Sequence, residues 1–532
     1  MTRGLFVCVV CVLSLYGSEN ARHDHLFSLA ENLSDENAKI VWYKNARSGD
    51  PRGAEYLLKF AGKDSYWMAQ LAKMSNFASQ ASIRDNFANN AESKQLQSYR
   101  AKAAYYMATV QVRKRERMYW YELAAKLNHA KSQFELALLM EQGTQARLGL
   151  LKQSAQNAYE PAVRTLSQYY RQVLFDMSKP AGQNKHASQN KQDSEPNTEA
   201  SLQHTELQET AIYWLEQAAQ FDSQSAFELG LLQWQLANAE GALIALSQAN
   251  ILGSKTASAY SEAIQKGRKV SVDEIFVPIG QSTSFPENCS QHLQFIASSL
   301  HTKVRAEYIK KRFENDKRFA QLPICIKDVV WLDDSELACQ NNDGQRRVTC
   351  DLTRLASVKK QPNFTHLVVF ADSGRAYVQR GVMYLDRFDA YSVFVHELAH
   401  FVGFVDEYAL SAQMASVHCV SENAPNLITA DVLGELEQTK LEYWEMISDG
   451  SVDISESKTC EQFERKSFKP SPNITFLEHH DIEYIPTIYS RMWQKQLAKQ
   501  KHQVHAAQEF LHLARREARP SFIEFWDSFN TK

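Results

Sequence analysis

The stretch from residue 396 to 408, HELAHFVGFVDEY, restricts this chain more than any other. Residues four apart on a helix share one face, so His396 and His400 can direct both imidazoles to a single metal ion. Glu397 lies beside that point, where it can take a proton from bound water. Gly403 permits a sharp exit from the helix. The chain can then fold back and present Asp406, ten residues after His396, as a third ligand. Three protein ligands with one position open describe a catalytic zinc site rather than a structural one. Phe394, Val395, Leu398 and Val402 give the same helix an apolar surface for burial, and two histidines would sit badly there unless something consumed their polarity.

The flanks agree with this reading. Asp386 and Asp389 are placed to cap the helix start. Upstream, THLVVFA at 365 to 371 is a continuously apolar run of the kind buried on both faces of a sheet. Gly374 provides a turn, and YVQRGVMYL at 377 to 385 reads as a second strand leading into the helix. A sheet edge at that place can bind a substrate backbone by strand addition. A hydrolase also needs a donor for the developing oxyanion. Tyr408, His479, His480, Tyr484 and Tyr489 are available, and Tyr408 and His480 are taken as the candidate catalytic donors. Neighbouring side chains on an extended segment point to opposite sides, so at most one of His479 and His480 faces the metal.

His396 to Tyr408, with its Asp-Glu-Tyr ending, resembles the bacterial zinc metallopeptidase family that includes IgA-cleaving enzymes, a metzincin-like group. Ala424-Pro425-Asn426 and Lys469-Pro470-Ser471 are similar to short segments that follow the zinc motif in that family. The resemblance covers about the last half of the chain, and only the motif itself is specific. It implies a zinc endopeptidase fold with His396, His400 and Asp406 as ligands and Glu397 as base. Two features depart from the pattern. Metzincins place a methionine in a tight turn beneath the zinc, whereas Leu477 stands near that position here, with Met446 and Met492 as the remaining candidates. Glu407 adjoins Asp406, and zincins that draw a glutamate from a later helix would use Glu422 or Glu435; the spacing favours Asp406.

A chain of 532 residues suggests two to four domains at roughly 150 residues each. A net charge of −3 and the absence of a long basic stretch give no sign of a nucleic-acid partner. The first 18 residues read as a signal peptide: Arg3, a short apolar run, then small or polar residues ending near Gly17 or Ser18. Cys11 would suit a lipoprotein, but Val10 precedes it instead of a small residue. No later apolar run is long enough to span a bilayer. Beyond Cys8 and Cys11 there remain Cys289, Cys325, Cys339, Cys350, Cys419 and Cys460, an even set that suggests three disulfides in an exported, periplasmic or secreted protein. Cys339 with Cys350 across a polar turn, then Cys419 with Cys460 and Cys289 with Cys325, follow by proximity.

Residues 25 to 268 have a different character, rich in alanine, leucine and glutamine and free of cysteine. A phrase recurs: VWYKNA from Val41, MYWYELAAKLNHAKSQFELALLM from Met118, and IYWLEQAAQFDSQSAFELGLL from Ile212, with weaker copies from Gly149 and Gly241. Each gives aromatic residues, then small ones, then Ala and Leu on a second helix. This resembles SEL-type and tetratricopeptide helical repeats, in which small residues let paired helices approach closely. Trp42, Trp120 and Trp214 are read as packing residues. Residues 178 to 208 form a polar, flexible insertion, with His186 and His204 solvated. Lys266 to Glu274 joins the two halves, and the tail from Tyr489 to Trp526 has helical spacing suited to packing across the C-terminal domain.

The expectation is therefore a multidomain chain: an all-α helical repeat solenoid, residues 25–268, followed by an α/β (α+β) zincin-like metallopeptidase domain, residues 272–532. Its expected activity is zinc-dependent endopeptidase cleavage of a protein or peptide substrate, with the repeats recognising substrate or partner. A catalytically silent repeat-based adaptor of the cell envelope is the competing class. A metal-dependent hydrolase of a cell-wall peptide or amide is a third reading.

Overall fold

The computed structural model describes residues 19–33, scattered positions from 38 to 56, and residues 91–178, 198–279, 288–340, 346–420, 424–430, 435–463, 465–500 and 502–529. The expected signal peptide, Tyr43 of the first repeat phrase, His186 and Glu422 lie outside these residues. The chain divides into two compact units, Met1–Ala257 and Ser258–Lys532. No helix among the described residues is long and apolar enough to cross a membrane.

The first unit is a succession of helix pairs, and the recurring phrase marks them. The copy from Met118 spans Lys114–Lys126 and Ala130–Leu139, and the copy from Gly149 falls on Gln145–Gln156 and Glu160–Ser178. The copy from Ile212 spans Thr198–Ala218 and Ser223–Gln235, followed by Ala239–Ile251. Short turns with helix-capping chemistry separate them. His129, Thr144, Asp222 and Asn238 each accept a backbone N–H from three residues on, which satisfies a donor the helix start would leave orphaned. Asn128, Ala158 and Ala237 take positive φ in the turns. Ala124, Ala137, Ala162, Ala211, Ala218 and Ala226 are fully buried between helices, where a larger side chain would force them apart.

The tryptophans pack, as expected. Trp214 is buried in the unit's core, and Trp42 is buried against Phe27 and Tyr56, at ring separations of 5.0 and 4.6 Å. The polar insertion is shorter than its composition suggests. Helix already begins at Thr198, and Leu207 packs on the buried Leu166 and Trp214 cluster. Apolar anchoring at helical spacing outweighs the polar residues between.

The second unit is built on a seven-stranded sheet. Its strands are β1 (Lys269–Val270), β2 (Gln291–Ala297), β3 (Ile324–Ile326), β4 (Val330–Leu332), β5 (His366–Ala371), β6 (Tyr377–Gln379) and β7 (Val382–Asp386). The order is β1-β4-β2-β5-β7-β6, with β3 also on β2. Every pairing is parallel except β6 on β7. Strand β5 is buried along its whole length, as the unbroken apolar run predicts. Val368 and Phe370 join one core layer with Phe394, Val395 and Leu398 of the helix Tyr391–His400. Leu367 and Val369 join a second layer on the other face with Phe510 and Trp526. The tail thus supplies both layers through the helices Thr487–Lys499, Ala507–Arg516 and Pro520–Asp527.

Three local expectations need correction. The run from Tyr377 to Leu385 is a hairpin rather than one strand, because Arg380 and Gly381 take φ of 46° and 76°, the backbone of a tight two-residue turn. That turn makes β6 the antiparallel edge of the sheet. Asp386 and Asp389 do not cap the following helix, whose N-cap is Ala390 with no side-chain bond. Asp386 instead accepts the N–H groups of Gly374, Phe388 and Asp389, and Asp389 accepts that of Asp386. The carboxylates are consumed in shaping the turn before the helix. Lys266 to Glu274 is not a plain connection, since β1 pairs with β4 and Val272–Ile275 forms a 3-10 turn.

The six cysteines pair as proximity suggested: Cys289–Cys325, Cys339–Cys350 and Cys419–Cys460, with Cα separations of 5.9, 3.9 and 5.8 Å.

Candidate metal centre

The helix Tyr391–His400 is buried on nearly every side, and His396 and Glu397 are only 7% and 8% exposed within it. One turn of this helix separates the two histidines and brings their rings to 5.0 Å centroid separation. The helix stops at His400, and Gly403 at φ 87° turns the chain back. Asp406 then meets both histidines, its Oδ1 lying 2.9 Å from His396 Nε2 and 3.3 Å from His400 Nε2. One candidate ligand atom from each of the three residues lies within 4.8 Å of the other two.

The other ring nitrogens determine what these contacts are. His396 Nδ1 lies 2.8 Å from the Phe476 carbonyl oxygen, and His400 Nδ1 lies 2.7 Å from that of Phe404. A carbonyl can only accept, so each Nδ1 carries the proton and each Nε2 offers a lone pair in the neutral ring. Two nitrogen lone pairs and a carboxylate oxygen therefore converge with no donor among them. Asp406 Oδ1 is buried and receives no regular hydrogen bond. Such a set is complementary to a cation, and backbone carbonyls holding the far nitrogens are the usual second layer of a histidine metal site. Without a metal, the proton is the cation available. Burial alone would lower the His400 pKa, but the Asp406 carboxylate overrides it and pushes it up to about 9. The same two histidines hold Asp406 well below the usual carboxylate range despite its burial.

Glu397 faces the same cluster. Burial raises its carboxyl pKa above the ordinary value, the two histidines oppose the shift, and Asp406 adds to it. Tyr408 stacks parallel to His396 at 6.5 Å between ring centres and is 37% exposed, so it is at the open side of the cluster. Burial and Asp406 raise its hydroxyl pKa, which keeps it a proton donor.

Glu407 points away from the metal cluster into the protein. It is 1% exposed and accepts from Asn426 Nδ2 at 3.0 Å, from Thr475 and from Tyr489, with Lys469 Nζ at 3.6 Å. Its backbone N–H donates to Leu477 at 3.0 Å, and the Asp406 carbonyl accepts from Thr459 at 2.7 Å. Asn426 also bonds both backbone groups of Val405, at 2.9 and 2.8 Å. This buried network fixes the rotation of the chain at 405–407 and thereby aims Asp406. Asn426 and Lys469 lie in the two short segments that resemble the peptidase family. Thr475 and the Phe476 carbonyl were not singled out from sequence, and a backbone acceptor carries no residue signature by which it could be.

The remaining sequence candidates are not brought together here. His480 is exposed and lies 3.5 Å from Asp481, His479 is exposed beside it, and Tyr484 is 47% exposed. Tyr489 is fully buried as a donor to Glu407. Glu435 is exposed. Leu477 occupies the turn beneath the histidines, adjoining Phe476, while Met446 is exposed and Met492 lies in the core.

Comparison with protein-family models and with curated proteins returned no match. Among solved structures, the chain is similar to a protective antigen of uropathogenic Escherichia coli strains displaying an SLR fold, at 17% identity and a TM-score of 0.23. That alignment covers 48% of this chain and 58% of that one, so the chain spans a little over half of its length. It is also similar to a Sel1 repeat protein from Oxalobacter formigenes, at 17% identity and a TM-score of 0.22, covering 40% of this chain and 75% of that one.

Proposed function

We propose that the second unit is a zinc-dependent endopeptidase of an exported protein, and that the helical repeats recognise its substrate or a partner. The observation that carries this reading is the convergence of three acceptor atoms from His396, His400 and Asp406 with both Nδ1–H groups already spent on carbonyls. Those three residues would hold the ion. A zinc ion supplies Lewis acidity that polarises a carbonyl and acidifies a water. Glu397, buried with a raised pKa, takes the proton of the attacking water and can hand it to the departing amine. Tyr408, still protonated at neutral pH, can donate to the developing oxyanion from the open side. Strand β6, at the end of the sheet order and paired with β7, offers an extended peptide a backbone partner. Three disulfides fit an oxidising compartment outside the cytoplasm.

The test is Glu397→Gln beside His396→Ala and His400→Ala. The glutamine variant should keep one zinc per chain and its thermal melt while peptide turnover falls by about three orders of magnitude; each alanine variant should lose the metal. Near-normal turnover in Glu397→Gln would remove the base, and full zinc retention in both alanine variants would remove the site. The second reading is a catalytically silent adaptor, resting on the helix pairs of the first unit, which suit protein interaction. It predicts no cleavage of any peptide by the zinc-loaded chain.

A further inference from the structure

Next to the candidate centre, three arginines are drawn together by backbone pairing. Arg347 and Arg375 form an isolated parallel bridge, the Arg375 N–H donates to the Arg346 carbonyl at 2.6 Å, and the Val348 N–H donates to the Arg375 carbonyl at 3.0 Å. Gly374 makes the approach feasible. Its φ is 140°, and a Cβ there would fall 2.9 Å from Val348 Cα. The disulfide Cys339–Cys350 closes the loop that carries Arg346 and Arg347, so neither position is set by side-chain packing alone. The Arg347 guanidinium lies 4.9 Å above the ring of Tyr377, which belongs to edge strand β6, and Tyr377 stacks on Tyr384 of β7 at 4.7 Å. The ring platform holds that cation against the strand open to a peptide.

All three arginines are exposed. No carboxylate among the described residues lies within ion-pair distance of Arg346 or Arg375, whereas Arg380 in the adjoining turn is committed to Glu509 at 3.0 Å. Ala376 and Val378, on either side of Tyr377, pack against the core layer that holds Phe394, Val395 and Leu398 of the helix Tyr391–His400, so the rim lies beside the helix that carries the centre. Three cations collected on one rim stand out in a chain whose net charge is −3. Guanidinium groups so placed are matched by a carboxylate, through charge-assisted and often bidentate hydrogen bonds.

We propose that Arg346, Arg347 and Arg375 form a carboxylate-recognition rim beside edge strand β6, which makes acidic peptides the preferred ligands of the centre. This rests on the peptidase reading for the role of the centre, but the recognition itself is a binding property. The carboxylate could come from an acidic side chain or from a free peptide C-terminus, and the two are separable by probe.

The experiment measures binding of fluorescent peptides by anisotropy to the full-length, zinc-loaded Glu397→Gln chain. Three probes differ at one group each: an internal glutamate with an amidated C-terminus, its glutamine counterpart, and the glutamine peptide with a free C-terminal carboxylate. The glutamate or the free-carboxylate peptide should bind about tenfold tighter than the neutral amide, and whichever does identifies the source. The preference should shrink as salt rises. In Arg347→Ala/Arg375→Ala the ratio should fall toward one, and Arg→Lys at both positions should restore part of it. Equal binding of all three probes overturns the proposal, as does a preference that survives the double alanine variant. Cleavage by the wild-type chain is scored separately. Selective binding without cleavage of any probe would leave the rim standing and remove the peptidase reading instead.

Discussion

At the scale of single residues, adjacent carboxylates at 406 and 407 have opposite fates, and the difference is one of rotation. Asp406 turns toward two bare nitrogen lone pairs, while Glu407 turns toward Asn426, Thr475, Tyr489 and Lys469. Their variants should therefore fail in different ways. Asp406→Ala should weaken zinc binding strongly, and because it also removes the carboxylate that raises the His400 pKa to about 9, the metal-free chain should lose stability below about pH 6.5 and progressively less as pH rises toward 9. Glu407→Ala should destabilise the fold by about 3 kcal/mol, because Lys469 and three neutral donors, Asn426, Thr475 and Tyr489, lose a buried acceptor. Zinc stoichiometry and urea denaturation of both proteins distinguish the cases; Glu407→Ala losing metal at full stability would reverse the assignment. Spacing alone placed His396, Glu397, His400 and Asp406 together, because helix periodicity and a glycine turn are local rules. His480 shows where that stops. Its approach to the His396–His400–Asp406 cluster depended on the path of the segment from 475 to 484, which is set by long-range packing.

At the scale of elements, legibility followed the range of the forces involved. The β5 strand and the buried faces of the site helix were visible as apolar patterns. The turn at Arg380 and Gly381 was hidden inside a strand-like run, although Gly381 marked it. The missing helix cap arose because Asp386 and Asp389 found partners in their own turn first. The helix pairs of the first unit were legible from their alanines and glycines, and Gly230 offers a sharp test. Replacing a helical glycine with alanine ordinarily stabilises by up to about 1 kcal/mol. Here a Cβ at 230 would fall 2.7 Å from Leu246 Cγ, between Ser223–Gln235 and Ala239–Ile251. Gly230→Ala should instead destabilise by about 1–3 kcal/mol through overpacking, and adding Leu246→Ala should recover part of that loss relative to the single changes. A higher melting temperature for Gly230→Ala would mean that the two helices are free to separate.

At the scale of the whole molecule, the two units depend on different chemistry, and chelators should reveal it, whereas acid acts on both, since burial also brings the His129 pKa of the first unit down to about 4. The second unit buries neutral histidines, with His292 and His366 only 2% exposed at the starts of β2 and β5. Burial, opposed by the Cys289 carbonyl, brings the His292 pKa down to about 4, and burial carries His366 well below its usual value. In the unfolded chain both groups titrate near 6.5. A depressed folded pKa means the unfolded state binds more protons, so stability is full above about pH 6.5 and declines toward pH 4. For His292 alone the loss is on the order of 3 kcal/mol, and His292→Asn should flatten the decline if the packing is kept. The first unit gains its stability from neighbouring helices and contains none of the candidate metal ligands. A fragment of residues 25–257 should therefore melt cooperatively by circular dichroism, with the same midpoint in the presence and absence of a chelator. The full chain should show a second transition that zinc raises and chelation lowers, since a ligand bound only by the native state stabilises it. A fragment that is unfolded alone and ordered only when the C-terminal half is present would mean that the repeats are not an independent recognition module. A chelator-sensitive fragment would place a metal in the first unit, where no ligand cluster lies among the described residues.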